Sequence, residues 1–331
     1  MSAVFLVIAA IAALYLARCL VIARQASRRP KKLLTEHEPS GYYKANWLKW
    51  QVFKWLFLTL LWPVHKRIYS LIGQENVERI SDLHRRGYQI CFMSNHDSSV
   101  NVWMPQAFFW LKGYHFLAEN FHYLIGLQFF NRHPFFWWGI RAVPRTPLVP
   151  PTMVNWILDN RQDLGLQVFK EQHARINAIN GPAKVVVAEK LEQGLCLLLY
   201  PQGTRQRQGL LSSPNELLLD LLPSNGKVVL VPVFQSGGYE MWRPETKPNP
   251  LKFWHKITLV IGEPEFMEDL QKEGLAISKT HQIMPRKASV ILLMERIAAL
   301  ARSIGQEKVC GEFNVPLTER FPKKELTTSA V

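Results

Sequence analysis

The chain has 331 residues, 48% of them apolar, and carries a formal net charge of +14 with an isoelectric point near 9.7. That length suits one large domain with appendages or two small ones, and the charge favours anionic partners: nucleic acid, acidic lipid or phosphorylated small molecules. Four scattered cysteines, Cys19, Cys91, Cys196 and Cys310, make no CxxC or metal-ligand spacing, so neither a disulfide framework nor a metal site is expected. The chain shows no zinc-knuckle, RNA-recognition or recognition-helix pattern, which argues against nucleic acid as the partner.

Residues 2–23 are apolar except for Ser2 and Arg18. As a helix, a stretch of that length spans roughly 33 Å, about one hydrocarbon core. Arg24, Arg28, Arg29, Lys31 and Lys32 follow it, and no Lys or Arg opens the chain. The positive-inside rule then predicts a single N-terminal membrane pass over residues 1–24, with the catalytic domain on the cytoplasmic side. A cleaved signal peptide would show a basic start and a small-x-small site, and neither is present. Residues 25–45 read as a polar linker, with Pro39 and Gly41. Between Trp47 and Trp62 lie four of the eleven tryptophans, interleaved with Lys49 and Lys54 and large apolar residues. That mixture predicts an amphipathic interfacial helix within residues 46–72.

From residue 73 to residue 310 short apolar runs alternate with helical stretches. The predicted strands are 89–94, 140–144, 195–200, 228–234 and 257–261, and the predicted helices include 100–112, 152–175, 183–193 and 286–303. The alternation predicts an α/β domain with a central, mostly parallel or mixed sheet flanked by helices. Cys91 and Cys196 fall in predicted strands and read as small core residues. Residues 311–331, with Pro316 and Pro322, read as a flexible tail.

Three strand ends concentrate chemistry. The run Gln89–Met93 delivers Asn95 and His96 to a turn, with Asn101 in the first turn of the helix that follows. A side chain at 101 can reach one imidazole nitrogen, leaving the other to take a proton from a hydroxyl. The run from Gly139 ends in Arg145, and Leu195–Leu199 leads into Tyr200-Pro201-Gln202-Gly203-Thr204-Arg205. Arginine offers a planar fork of donors that suits phosphate, and a glycine turn lets backbone N–H groups approach an anion. A base and an anion clamp together suggest group transfer involving a phosphate-bearing molecule.

This pattern resembles the phospholipid/glycerol acyltransferase family, of the lysophosphatidate acyltransferase type. Four ordered blocks carry the resemblance: Asn95-His96 through Asn101, Gly139 through Arg145, Tyr200 through Arg205, and the apolar strand Val228–Val233 with its Pro232. A closing strand, Ile257–Ile261, leads into Gly262-Glu263-Pro264, so the match covers about residues 70–270. The resemblance implies a membrane-bound enzyme that moves an acyl group from acyl-CoA or acyl-carrier protein to a hydroxyl of a lysophospholipid or glycerophosphate. It implies His96 as general base and Asn101 as its partner. The acceptor would be bound by Asn95, Arg145, Gln202, Gly203, Thr204 and Arg205, with no metal and no bound organic cofactor.

The chain departs from the family at two places. Asn101 stands where the family has Asp, and Gln202 where it has Glu. Asn can orient an imidazole but supplies no charge to an imidazolium; in a serine protease the analogous change costs about 10⁴ in kcat. A catalytically impaired, lipid-binding relative acting as a sensor or partner subunit is the alternative that these two amides leave open.

Overall fold

The computed structural model describes residues 33–35, 38–51, 69–96, 104–127, 143–203, 209–241 and 255–321. They fall into two compact units, Met1–Leu56 with His122–Val186, and Phe57–Phe121 with Val187–Val331. Eight strands run in chain order: β1 (Tyr69–Ile72), β2 (Gln89–Ser94), β3 (Phe121–Gly126), β4 (Arg145–Leu148), β5 (Cys196–Leu199), β6 (Val228–Ser236), β7 (Ile257–Ile261) and β8 (Glu265–Phe266). The principal helices are α1 (Gln74–Arg85), α2 (Met104–Leu111), α3 (Pro151–Asp159), α4 (Arg161–Glu192), α5 (Met267–His281) and α6 (Pro285–Ser303).

The second unit holds a mixed sheet in the order β1-β7-β6-β2-β5, with the short β8 also beside β6. The trio β6-β2-β5 is parallel, in the register Met93↔Pro232 and Met93↔Leu199. β7 pairs antiparallel with β6, and β1 runs parallel to β7. Every residue of β2 and β5, and all of β6 but its last, is buried. Strands that read as unbroken apolar runs are covered on both faces, which is the state a parallel sheet requires. The cover comes from α1, α2 and α6, which pack on this sheet, and from α5 lying on α6. Phe92, fully buried in β2, packs its ring against Phe109 and Phe121 at centroid distances of 5.4 and 5.3 Å.

Residues 307–314 form a 3₁₀ segment whose Cys310 and Phe313 join a core with Phe234, Val260, Ile291 and Met294. Gly311 sits at φ +55°, and a Cβ there would stand 2.7 Å from the Leu211 carbonyl oxygen, so the chain passes that carbonyl only as glycine.

In the first unit β3 and β4 pair in parallel, from Tyr123↔Arg145 to Gly126↔Leu148. Tyr43 exchanges both backbone hydrogen bonds with Arg145, at 2.9 and 3.0 Å. The Gln172 side chain does the same for the backbone of Leu34, at 2.7 and 3.1 Å. The core is made by Leu34, Leu127, Val149, Ile157, Ile176 and Ile179.

The α/β expectation with a mixed, helix-flanked sheet holds, and β2, β6 and β7 lie where the apolar runs predict. The membrane part of that expectation does not hold. Among the described residues no helix is long and apolar enough to cross a membrane. The longest, α4, carries Lys170, Glu171, Arg175, Lys184, Glu189 and Lys190, and a bilayer core demands about 20 predominantly apolar residues. The predicted span, residues 2–23, lies outside the described residues. The membrane helix, the single-pass localisation and the membrane-bound mechanism drawn from it are accordingly withdrawn. Most of the predicted interfacial helix also lies outside the described residues, of which 47–51 are helical.

Phe92→Ala should lower stability by about 3–5 kcal/mol through the cavity it leaves. Arg85→Ala, whose ion pair with Asp82 is exposed at both ends, should stay within about 0.5 kcal/mol. Urea unfolding of the two variants beside the parent protein measures both.

Candidate functional site

The three parallel strands of the second unit end at one edge, and each end carries polar residues: Ser94, Asn95 and His96 after β2, Tyr200 to Gly203 after β5, and Gln235 and Ser236 closing β6. The carboxyl ends of parallel strands are where open α/β sheets place their ligands. The residues there are held by a buried hydrogen-bond network. Asn95, with no exposed surface, donates from Nδ2 to the Gln235 carbonyl at 2.9 Å and accepts from the Gln235 N–H on Oδ1 at 2.7 Å. Ser94 Oγ donates to the Asn95 carbonyl (3.2 Å) and accepts from Gln235 Nε2 (2.8 Å). The backbone N–H and carbonyl of Gln235 fix the orientation of the Asn95 amide. Gln235 is 1% exposed, and its Oε1 is buried with no hydrogen-bond partner among the described residues.

His96 follows this network directly. It is half-buried, and its ring stacks on Tyr200 with centroids 4.2 Å apart and planes 23° from parallel. Tyr200 opens a tight turn closed by Gly203 N–H donating to the Tyr200 carbonyl (2.8 Å). Gly203 has φ +64°, a value glycine adopts without strain. Asn215 N–H donates to the Pro201 carbonyl at 2.8 Å, and Gln202, itself buried, donates from Nε2 to Ser212 Oγ at 2.9 Å. The segment that supplies these partners is held in turn from further along the chain. Leu211 N–H donates to the Val309 carbonyl (2.7 Å), and Ser213 Oγ donates to Glu312 (2.8 Å).

Of the predicted site residues, His96, Asn95, Gln202 and Gly203 are brought to this edge of the second unit. Asn95 is fully buried and bonds the Gln235 backbone through both ends of its amide, so it holds the backbone beneath His96. Arg145 belongs to the first unit. Its buried guanidinium lies 5.2 Å from the Tyr43 ring centroid and donates to the Val143 carbonyl at 3.3 Å. Asn101, Thr204 and Arg205 lie outside the described residues. The residues that motif reading passes over are Ser94, Ser212 and Gln235; Tyr200 opens the third motif block, where the motif gives it no role of its own. Gln235 left one trace in the sequence, a polar residue closing the apolar run Val228–Phe234.

Cys91 and Cys196, on the neighbouring strands β2 and β5 and one residue out of register, are fully buried. Burial pushes both thiols up, Cys91 with a further contribution from Cys196, and Cys196 to about 12, so neither supplies a thiolate near neutral pH. Among the described residues no group of three or more His, Cys, Asp or Glu is placed to hold a metal ion. No protein-family model and no curated protein matches the chain.

Asn95→Asp should destabilise the fold, because a carboxylate would face the Gln235 carbonyl with nothing to donate. Burial and that carbonyl raise the new carboxyl's folded pKa above its unfolded value. The loss should therefore be smallest at about pH 4 and grow as pH rises through the raised folded value. Thermal midpoints of parent and variant between pH 4 and 8 check the sign; a deficit independent of pH would contradict it.

Proposed function

We propose that the chain is an acyltransferase in which His96 is the general base. The observation that carries this reading is the placement of His96 at the carboxyl end of β2, on a buried network and beside the Tyr200–Gly203 turn of β5. A base fixed beside a glycine turn at the edge of a parallel sheet has the geometry that acyl transfer asks for. The four motif blocks and their order support the same reading.

In the proposed reaction an imidazole nitrogen of His96 takes the proton of an acceptor hydroxyl as its oxygen attacks the carbonyl carbon of an acyl thioester. The tetrahedral intermediate collapses with cleavage of the C–S bond, and the leaving thiolate recovers the proton from the imidazolium. The donor is acyl-CoA or acyl-carrier protein. The acceptor is a lysophospholipid or glycerophosphate, its phosphate met by Gly203, Thr204 and Arg205 as the family resemblance implies. The resemblance implies the same role for Arg145, whose guanidinium in this structure lies against Tyr43 and donates to Val143. The proposal concerns the chemistry alone and invokes no membrane-bound mechanism.

The test is transfer of a labelled acyl group from each donor to a panel of lysophospholipids and glycerophosphate, with purified parent protein and His96→Ala. The expected result is turnover by the parent and a loss of about 10²–10⁴-fold in kcat in the variant. Turnover that survives His96→Ala, or none from folded parent protein with any donor, would overturn the proposal.

A further inference from the structure

The ring pair at the sheet edge has a role that the motif reading leaves unassigned. We infer that Tyr200 is the positioning residue for His96: its ring face fixes the plane of the imidazole and favours the imidazolium formed when the base takes its proton. The inference rests on the reading of His96 as the base.

The geometry is that of a built contact. Both rings come from parallel neighbours in the register Met93↔Leu199, and each backbone is pinned independently. His96 is held from below by the Asn95–Gln235 bonds. Tyr200 is held by the Gly203 N–H on its own carbonyl, and the residue after it by the Asn215 N–H. Centroids 4.2 Å apart, with planes 23° from parallel, bring the imidazole over the phenol face, inside the ~6 Å range over which a ring quadrupole attracts a cation.

The chemistry calls for such a contact. Burial leaves an imidazole less water to solvate the charge it gains with a proton, which disfavours the charged form. The usual remedy is a carboxylate at the ring, and position 101 carries Asn instead. An aromatic face supplies negative potential without a titratable group. The stack also leaves the edge of the imidazole, where both nitrogens lie, out of the contact between the faces.

The inference separates ring from hydroxyl. Tyr200→Phe keeps the π face, and Tyr200→Leu keeps apolar bulk without it. Tyr200→Leu should lower kcat roughly 2- to 30-fold, the rate equivalent of a cation–π attraction, with KM for the thioester within about twofold. Tyr200→Phe should stay within about twofold of the parent.

A second readout does not depend on turnover. In protein labelled at histidine Cε1, the His96 resonance is assigned by its absence in His96→Gln. It should be displaced upfield by the Tyr200 ring in the parent and in Tyr200→Phe, and should move downfield in Tyr200→Leu. Tyr200→Met replaces the Leu variant if circular dichroism shows that Leu perturbs the fold. An unmoved His96 resonance, or an unchanged kcat in an active Tyr200→Leu enzyme, overturns the inference. A parent that turns over no substrate sinks the acyltransferase reading and with it the catalytic role; the resonance then decides whether Tyr200 holds the ring.

Discussion

The amide of Asn95 locked onto the backbone of Gln235 is the constraint on which the candidate site depends. It ties the end of β2 to the end of β6 with two short hydrogen bonds, out of contact with water. In a low-dielectric interior such bonds are strong when complete and costly when broken, because either partner left alone is desolvated without compensation. The network therefore permits one arrangement of the two strand ends. His96 is the next residue along the chain, so its backbone position follows from a bond it does not make. Ser94 closes the network from the other side, and β5, in register with β2, brings Tyr200 to the imidazole.

The turn after β5 is braced on the same principle with different parts. A glycine at positive φ, two backbone hydrogen bonds and the Gln202–Ser212 contact define its course. His96 and Tyr200 thus sit beside backbone that is pinned by hydrogen bonds. That is preorganisation in a concrete sense: the geometry is set before any substrate arrives and costs no reorganisation when it does.

Much of this was legible from local pattern. The strands at 89–94, 228–234 and 257–261 are short apolar runs between polar turns, and a run of that kind has few alternatives in an α/β chain. The long helix was harder. The predicted helices 152–175 and 183–193 leave a gap at 176–182, yet α4 runs through it, Pro182 included, and departs from helical geometry at Gly165, at φ +73°. A proline costs a helix one hydrogen bond and some strain, and tertiary packing of Ile176, Ile179 and Ala183 outweighs that. β1 and β3 were missed because Tyr-Ser-Leu-Ile and Phe-His-Tyr-Leu-Ile-Gly carry polar residues that only their neighbours explain. The predicted membrane pass rested on the apolar run 2–23 and the basic residues after it, and no described helix meets its terms. Asn95 shows why a site resists local reading. Its residue type fits a ligand contact and a structural clamp equally, and the deciding partner is 140 residues away.

That distance also sets when the site can exist. The end of β2 waits for Gln235, and the segment bracing the β5 turn waits for Val309 and Glu312. On a ribosome the base would be made early and stay unplaced until most of the chain had emerged. Contacts of such long sequence separation must offset a large loop-closure entropy before they return any energy, which makes their formation a late event. A half-synthesised chain would carry His96 without the partners that place it, so that the candidate site itself marks completion of the fold.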